Sequence, residues 1–192
     1  MTEQIAQTAS RVYVIEIDPR LVHALKDRFA KNGRVQIVSG DALQVDLPQV
    51  NKVVSNLPYS ISSEVTFRLL DAVDFELAVM MYQREFANRM LAEPGSREYS
   101  RLSVDVQYLA VAEPIMEVEA AKFYPKPAVD STVLRLVKRT HGPFARDTKT
   151  FFRLVHGVYS YPNKQLRRAL LIWFRTLGYG PDLVGQLIER CG

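Results

Sequence analysis

The chain has 192 residues, of which 47% are hydrophobic and 24% are charged, a composition typical of a soluble globular protein. No run of 18 or more apolar residues and no signal-peptide pattern occurs, so the sequence predicts neither a membrane protein nor a secreted one. The only cysteine, Cys191, and three widely separated histidines exclude a disulfide framework and lack metal-ligand spacing. We therefore expect a cytoplasmic protein without a metal.

Charge is unevenly distributed along the chain. Residues 1–121 contain 12 Lys and Arg against 17 Asp and Glu, whereas residues 122–192 contain 13 against 4. A basic second part indicates that a polyanion binds on that side, and the alternative is a solvated basic surface.

Predicted strands and helices alternate along the first 140 residues. Short β-rich runs predict strands at 12–17, 35–38, 52–55, 75–82, 115–118 and 133–137. Apolar periodicity predicts helices at 19–29, 84–91 and 101–109, and another that begins with Ser62 as its N-cap. This alternation is typical of a parallel, doubly wound α/β sheet. The last two strands lack a clear helix between them, so we expect the final strand to be antiparallel.

The pattern changes after residue 140. Segments 148–159, 164–176 and 181–190 have helical periodicity, and no strand pattern occurs there. We therefore predict two domains, an α/β domain at 1–140 and a small helical domain at 141–192.

Acidic residues stand at the ends of the first two predicted strands. In a nucleotide-binding sheet, an acidic side chain at such a point accepts hydrogen bonds from the ribose hydroxyls of the cofactor, and Glu16 or Asp18 can take this role. Asp41 follows the next strand, where its carboxylate can accept a hydrogen bond from an adenine amino group. The alternative for Gly40 and Asp41 is a simple turn.

The segment Asn56-Leu57-Pro58-Tyr59 directly follows the third predicted strand. An adenine amino group is a poor nucleophile because its lone pair is delocalised into the ring. The side-chain oxygen of Asn56 and the carbonyl of Leu57 can each accept one of its N–H groups, which aligns the lone pair for attack. Pro58 fixes the turn, and Tyr59 offers a face for base stacking. The alternative is an ordinary Asn-x-Pro turn with a surface tyrosine.

A loop rich in proline and lysine covers residues 122–131. Phe123 can close over the opposite face of the target base, and Lys122 and Lys126 can hold phosphates. The alternative is a rigid loop that carries a packed aromatic side chain.

Together these motifs resemble the small-subunit ribosomal RNA adenine dimethyltransferases and the related erythromycin-resistance 23S rRNA methyltransferases. The matching segments are 14–21 (VIEIDPRL), 40–43 (GDAL), 56–59 (NLPY), 83–87 (QREFA) with Arg89-Met90, and 123–131. The resemblance implies a Rossmann-like fold that binds S-adenosylmethionine, the methyl donor for adenine amines of small-subunit rRNA during ribosome biogenesis.

The resemblance also implies roles for individual residues. It assigns the cofactor ribose to Glu16 with its neighbour Ile17, and the cofactor adenine to Asp41 with its neighbour Ala42. It assigns the target amine to Asn56, which also borders the cofactor, and to Leu57, Pro58 and Tyr59, with Phe123 against the target base. Lys164, Arg167 and Arg168 in the helical segment are expected to contact the RNA backbone.

The sequence departs from this family before Glu16. The family has a strand and a glycine-rich loop there for the methionine end of the cofactor, whereas none of the fifteen residues before Glu16 is glycine. That strand normally lies in the middle of the sheet. We therefore expect an incomplete methyltransferase domain with two open strand edges, and a chain that is marginally stable or depends on an association that covers them. The helical domain also resembles an incomplete one.

Two other functions remain open on the sequence alone. The first is a catalytically inactive RNA-binding or ribosome-assembly factor, or a gene fragment, on the same fold. The second is a DNA adenine methyltransferase, since the Asn-Leu-Pro-Tyr motif also serves that chemistry; the 123–131 loop and the basic helical segment fit the RNA family better.

Overall fold

Strands and helices alternate in the computed structural model, which describes residues 1–191, so the predicted α/β fold is confirmed. The chain divides into two units, Met1–Tyr82 and Gln83–Gly192. The helices are α1 (Thr2–Thr8), α2 (Pro19–Arg28), α3 (Ser62–Ala72), α4 (Arg84–Leu91), α5 (Arg101–Leu109), α6 (Thr148–Tyr159), α7 (Leu166–Thr176) and α8 (Pro181–Cys191). The strands are β1 (Val12–Glu16), β2 (Val35–Ser39), β3 (Lys52–Asn56), β4 (Leu77–Gln83), β5 (Ala110–Val118) and β6 (Ser131–Lys138).

The first unit contains two pairs of parallel strands. β1 pairs with β2 from Val12 opposite Val35 to Glu16 opposite Ser39, and β3 pairs with β4. Within residues 1–191, β1 has only β2 as a strand neighbour and β3 has only β4. Among the described residues, one edge of β1 and one edge of β3 are therefore open.

The start of α3 differs from the prediction. Ile61 occupies the N-cap position and Ser62 is the first helical residue, so the prediction that Ser62 caps the helix is wrong. The cause is a 3-10 turn, Tyr59–Ile61, that runs directly into α3. The Ser62 hydroxyl instead donates to the carbonyl of Tyr59 at 2.9 Å, which joins the turn to the helix.

In the second unit, β5 and β6 are antiparallel, which confirms the expected direction of the final strand. β5 begins five residues earlier than the sequence suggests, because Glu113 and Pro114 weaken the strand pattern there. The register shifts between Pro114 and Met116. Beside these strands, α4 packs against α5, and Met90, Val106 and Leu134 in the interior of the unit are each 0% exposed.

Tyr108 connects α5 to the segment that leads into α6. Its ring stacks on Phe151 with a centroid distance of 4.3 Å and meets Phe144 edge-on at 5.6 Å. Its hydroxyl accepts the backbone N–H of Ala145 at 3.0 Å. These contacts lie within one unit, and the proposed domain boundary after residue 140 stays a prediction. No helix among the described residues has the length and apolar character needed to cross a membrane.

Candidate functional site

The ends of β1 and β2 bring two acidic residues together. Because the strands are parallel and Glu16 lies opposite Ser39, both carboxyl ends reach the same edge of the pair. The N–H of Gly40 donates to the carbonyl of Glu16 at 2.9 Å and joins the turns that follow the two strands. Glu16, Ile17, Asp41 and Ala42 therefore form one cluster, which we call the β1–β2 site.

The structure distinguishes Glu16 from Asp18. Oε1 of Glu16 accepts the N–H groups of Ile17 at 2.8 Å and Asp18 at 2.9 Å, and Oε2 accepts none from the described residues. Asp18 instead caps α2, and both of its carboxylate oxygens bind Arg20, which holds the pKa of Asp18 below its usual range. Glu16 is thus the carboxylate with an oxygen available to a ligand.

Gly40 and Asp41 make a tight turn, as the simpler interpretation of this segment suggests. Gly40 has φ +153°, and a Cβ atom there would collide with Cγ1 of Val45. Oδ1 of Asp41 accepts the N–H of Leu43 at 2.9 Å. Within the described residues, Oδ2 of Asp41 accepts no hydrogen bond and the N–H of Ala42 donates none. The turn thus leaves one acceptor and one donor side by side.

This pair is complementary to the edge of an adenine base. Adenine presents an amino donor next to the ring acceptor N1, which the carboxylate and the amide N–H match in order. A ribose attached to such a base carries vicinal hydroxyls, which are the groups that a strand-end glutamate binds. The residues of the β1–β2 site therefore fit an adenosine-containing cofactor.

The Asn-Leu-Pro-Tyr motif lies at the end of β3 in the same unit. Asn56 is the last strand residue and is exposed, and Pro58 has φ −55° and ψ 131°, which turns the chain into the 3-10 turn at Tyr59. The N–H of Ile61 donates to the carbonyl of Pro58 at 3.1 Å. The backbone that presents Asn56 and Leu57 is therefore fixed on its C-terminal side.

Two buried hydroxyl groups, those of Thr66 and Tyr82, form a hydrogen-bond network next to this turn, and no sequence motif indicated it. The Thr66 hydroxyl donates to the carbonyl of Ser62 at 2.6 Å and lies 2.8 Å from the hydroxyl of Tyr82. Tyr82 is fully buried on β4, and burial raises the pKa of its hydroxyl. The network joins α3 to β4, and no local sequence signal reveals it, because its members are up to 20 residues apart.

The loop at 122–131 belongs to the second unit. Lys122 ends a short 3-10 turn, Phe123 is half-buried, and Lys126 is exposed. Asp130 closes the base of the loop: Oδ1 accepts the N–H of Ala120 at 3.0 Å, and Oδ2 accepts Arg84 at 2.9 Å. Arg84 and Asp130 both lie in segments that resemble the family, but the sequence did not indicate that they bind each other.

The predicted RNA-contacting residues Lys164, Arg167 and Arg168 are all exposed. Lys164 lies just before α7, and the two arginines lie in its first turn. Within residues 1–191, no group of three or more His, Cys, Asp or Glu side chains is arranged to hold a metal ion.

Comparisons with known proteins agree with these features. The family model for ribosomal RNA adenine dimethylase matches residues 1–176. The chain is 48% identical over 171 residues to a probable ribosomal RNA small subunit methyltransferase A of Methanosarcina acetivorans, covering 89% of this chain and 63% of that protein. It is 42% identical over 192 residues to the protein of the same name from Methanococcus maripaludis, covering 99% of this chain and 73% of that protein.

Two solved structures are also similar. A dimethyladenosine transferase from Plasmodium falciparum is 30% identical with a TM-score of 0.79, over 88% of this chain and 62% of that one. The 23S rRNA methyltransferase ErmE is 28% identical with a TM-score of 0.73, over 88% of this chain and 70% of that one. The chain thus spans about 63% of the length of the first curated relatives that it matches. It belongs to the ribosomal RNA adenine dimethylase family.

Proposed function

We propose that this chain is the greater part of an rRNA adenine dimethyltransferase that uses S-adenosylmethionine. The observation that carries the proposal is the β1–β2 site, where Glu16 and Asp41 each keep one carboxylate oxygen available at adjacent strand ends. The proposed substrate is small-subunit rRNA, either free or within an assembling ribosomal subunit, in the cytoplasm. We assign cofactor and target-base binding to residues 1–140, together with phosphate contacts from Lys122 and Lys126, and further RNA-backbone contact to residues 141–192.

The cofactor would be held by its adenosine part. Oε2 of Glu16 accepts the ribose hydroxyls, Oδ2 of Asp41 accepts the adenine amino group, and the N–H of Ala42 donates to N1. Ile17, which is 64% exposed, supplies an apolar surface beside the base. Bound S-adenosylmethionine supplies an electrophilic methyl group on a sulfonium.

Asn56 and Leu57 would orient the target amine. The Asn56 side-chain oxygen and the Leu57 carbonyl accept its two N–H groups, so the nitrogen lone pair points at the methyl carbon. In the transfer, a nitrogen–carbon bond forms, the carbon–sulfur bond breaks, and its electron pair stays on sulfur. The nitrogen then loses a proton to solvent, and repetition of these steps gives the dimethylated amine. Tyr59 and Phe123 serve as stacking faces for the target base.

The RNA contacts would be electrostatic. Lys122 and Lys126 flank Phe123, and Lys164, Arg167 and Arg168 are exposed at the start of α7. Contacts of this kind hold phosphates and fix the orientation of the RNA without reading its sequence.

Calorimetry with S-adenosylhomocysteine, the reaction product, tests the proposal directly. We expect the unmodified chain to bind it and Glu16→Ala to bind about 10- to 100-fold more weakly, because charge-assisted hydrogen bonds to the ribose are lost. Asp27→Ala, which removes an exposed carboxylate on α2, is the matched control and should leave binding unchanged. Equal binding by all three proteins, or no binding by folded chain, contradicts the proposed cofactor site. Transfer of labelled methyl groups to small-subunit rRNA, with duplex DNA as the competing substrate, then tests the reaction.

A second candidate is an RNA-binding ribosome-assembly factor without catalysis. The open edges of β1 and β3 favour it, because they flank the strand ends that carry the proposed cofactor and target-amine residues. This candidate predicts RNA binding that is lost on Arg167→Ala with Arg168→Ala, and no methyl transfer under any condition.

A further inference from the structure

Arg68 lies on α3, 26 residues beyond the Ala42 carbonyl to which it donates, and no sequence motif indicates a role for it. Its guanidinium donates from Nη1 to the carbonyl of Ala42 and from Nη2 to the carbonyl of Val45 at 2.6 Å. The side chain is half-buried, and both acceptors belong to the turn that carries Asp41. Arg68 thus spans the turn that forms half of the β1–β2 site.

The first of these bonds fixes the orientation of Asp41 through one peptide group. The carbonyl of Ala42 and the N–H of Leu43 belong to the same planar, trans peptide, so they point in opposite directions. While Arg68 holds the carbonyl, the N–H is directed at Oδ1 of Asp41, to which it donates at 2.9 Å. The carboxylate is thereby rotated so that Oδ2 remains available.

The second bond closes the other end of the turn. The N–H of Val45 donates to the backbone carbonyl of Asp41 at 2.9 Å, and its side chain packs over Gly40. Arg68 holds the carbonyl of the same residue, so both ends of the segment 42–45 are fixed from α3. A planar guanidinium can serve two carbonyls at once in this geometry, whereas the single ammonium of a lysine cannot reproduce it.

We infer that Arg68 is a positioning residue that sets the preference of Asp41 and Ala42 for adenine. The inference rests on the proposed function, since it concerns the cofactor base. Hypoxanthine differs from adenine at this edge by presenting an acceptor and then a donor, the reverse of adenine. A turn held in one conformation discriminates between the two bases, and a turn free to rotate its peptide groups does not.

The first experiment compares two ligands by calorimetry, S-adenosylhomocysteine and the same compound with hypoxanthine in place of adenine. For the unmodified chain we expect at least about ten-fold tighter binding of the adenine form, as expected for one well-placed pair of hydrogen bonds. Arg68→Met should bring the ratio close to one, and Arg68→Lys should restore only part of it. Arg28→Met is the matched control, since Arg28 is a half-exposed arginine on α2 whose partner is Glu3, and it should retain the full ratio.

The second experiment needs no ligand. Amide hydrogen exchange should show that Leu43, Gln44 and Val45, whose N–H groups all donate to Asp41, lose protection in Arg68→Met and keep it in Arg28→Met. Protection of the β4 amides reports whether each variant is folded. If Arg68→Met does not fold, Arg68→Lys, which keeps the positive charge, takes its place in the experiment.

The outcomes separate the two proposals. A ratio and an exchange pattern that Arg68→Met leaves unchanged overturn the role of Arg68 alone. An unmodified chain that is folded but does not prefer adenine overturns both the cofactor assignment and the role of Arg68. A loss of preference with a loss of protection, both confined to the Arg68 variants, supports the inference.

Discussion

The strands that carry the candidate cofactor site are less buried than the interior of the second unit. No residue of β1 is fully buried, and Val54 in β3 is 44% exposed. In the second unit, by contrast, Met90, Val106 and Leu134 have no exposed surface at all. The proposed ligand-binding carboxylates, Glu16 and Asp41, thus lie at the ends of strands that are only partly buried, where we expect local opening to cost less free energy than in a buried core.

The cause of the difference is strand pairing. β1 and β3 each have a single strand neighbour within the described residues, so each leaves a row of backbone groups and one side of its side chains uncovered.

A pair of substitutions, one at a buried residue and one at an exposed residue, should show the largest contrast between the two regions. Leu134→Ala removes a fully buried side chain and should lower the free energy of unfolding by about 2–5 kcal/mol, because it loses burial and leaves a cavity. Val54→Ala in β3 should cost less than about 0.5 kcal/mol, because much of that side chain is already in water. Urea unfolding followed by circular dichroism measures both, and equal costs would contradict the comparison.

Hydrogen exchange should reveal the same contrast without mutation. We expect the amides of β1 and β3 to exchange through local opening at least about ten-fold faster than those of β6, since they lie on strands with an open edge. An apolar peptide that adds a parallel strand beside β1 or β3 should slow amide exchange in the strand that it joins. Uniform protection, together with a single cooperative melt of a monomer at high temperature, would show that the open strand edges do not lower the local stability.

A smaller effect is expected at the buried hydrogen bond between α3 and β4. Thr66→Val keeps the shape of the side chain but removes the hydroxyl that lies 2.8 Å from the hydroxyl of Tyr82. The buried tyrosine then loses a partner, at a cost of about 1–2 kcal/mol in the free energy of unfolding. Ser63→Ala, at a half-buried position on the same helix, is the control. If both variants lower the free energy of unfolding equally, the hydrogen bond between Thr66 and Tyr82 does not stabilise the fold.

The smallest predicted effect concerns pH and a buried carboxylate of the second unit. Burial raises the pKa of Asp105, and the hydrogen bond from His156 at 2.9 Å, with Arg101 at 3.9 Å, acts in the opposite direction. Oδ1 of Asp105 is buried without a hydrogen-bond partner. A carboxyl group whose pKa is raised by folding stabilises the fold below its ordinary pKa of 3.8, and this contribution is lost as the pH rises through the raised value.

Asp105→Asn should therefore remove one component of the pH dependence. Relative to the unmodified chain, its free energy of unfolding should rise as the pH increases from about 3.8 upward, because the variant has no carboxyl group to ionise. Urea unfolding at a series of pH values measures the difference between the two proteins. A difference that is constant with pH, or of opposite slope, would show that ionisation of Asp105 does not cost stability.

Much of the fold and part of the candidate site follow from local sequence patterns. The apolar periodicity predicts nearly every strand and helix, and α4, α5 and α6 have the predicted bounds. β5 is the exception in length, because Pro114 interrupts its pattern while the antiparallel partner β6 still pairs with the residues before it. The strand-end motifs predict Glu16, Asp41 and Asn56, because residues that follow parallel strands reach one edge of the sheet.

Only the tertiary structure decided which groups bind each other, both at the start of α2 and between distant segments. Asp18, and not Glu16, forms a local ion pair with Arg20, and this pairing depends on the geometry at the start of α2. Arg68 reaches the Asp41 turn, and Asp130 binds Arg84 across 46 residues. Sequence alone determined the family and predicted which side chains carry the proposed chemistry, since both depend on residue type and local spacing. It could not determine which groups hold them in place, because a hydrogen bond between distant segments leaves no periodic or local pattern in the chain.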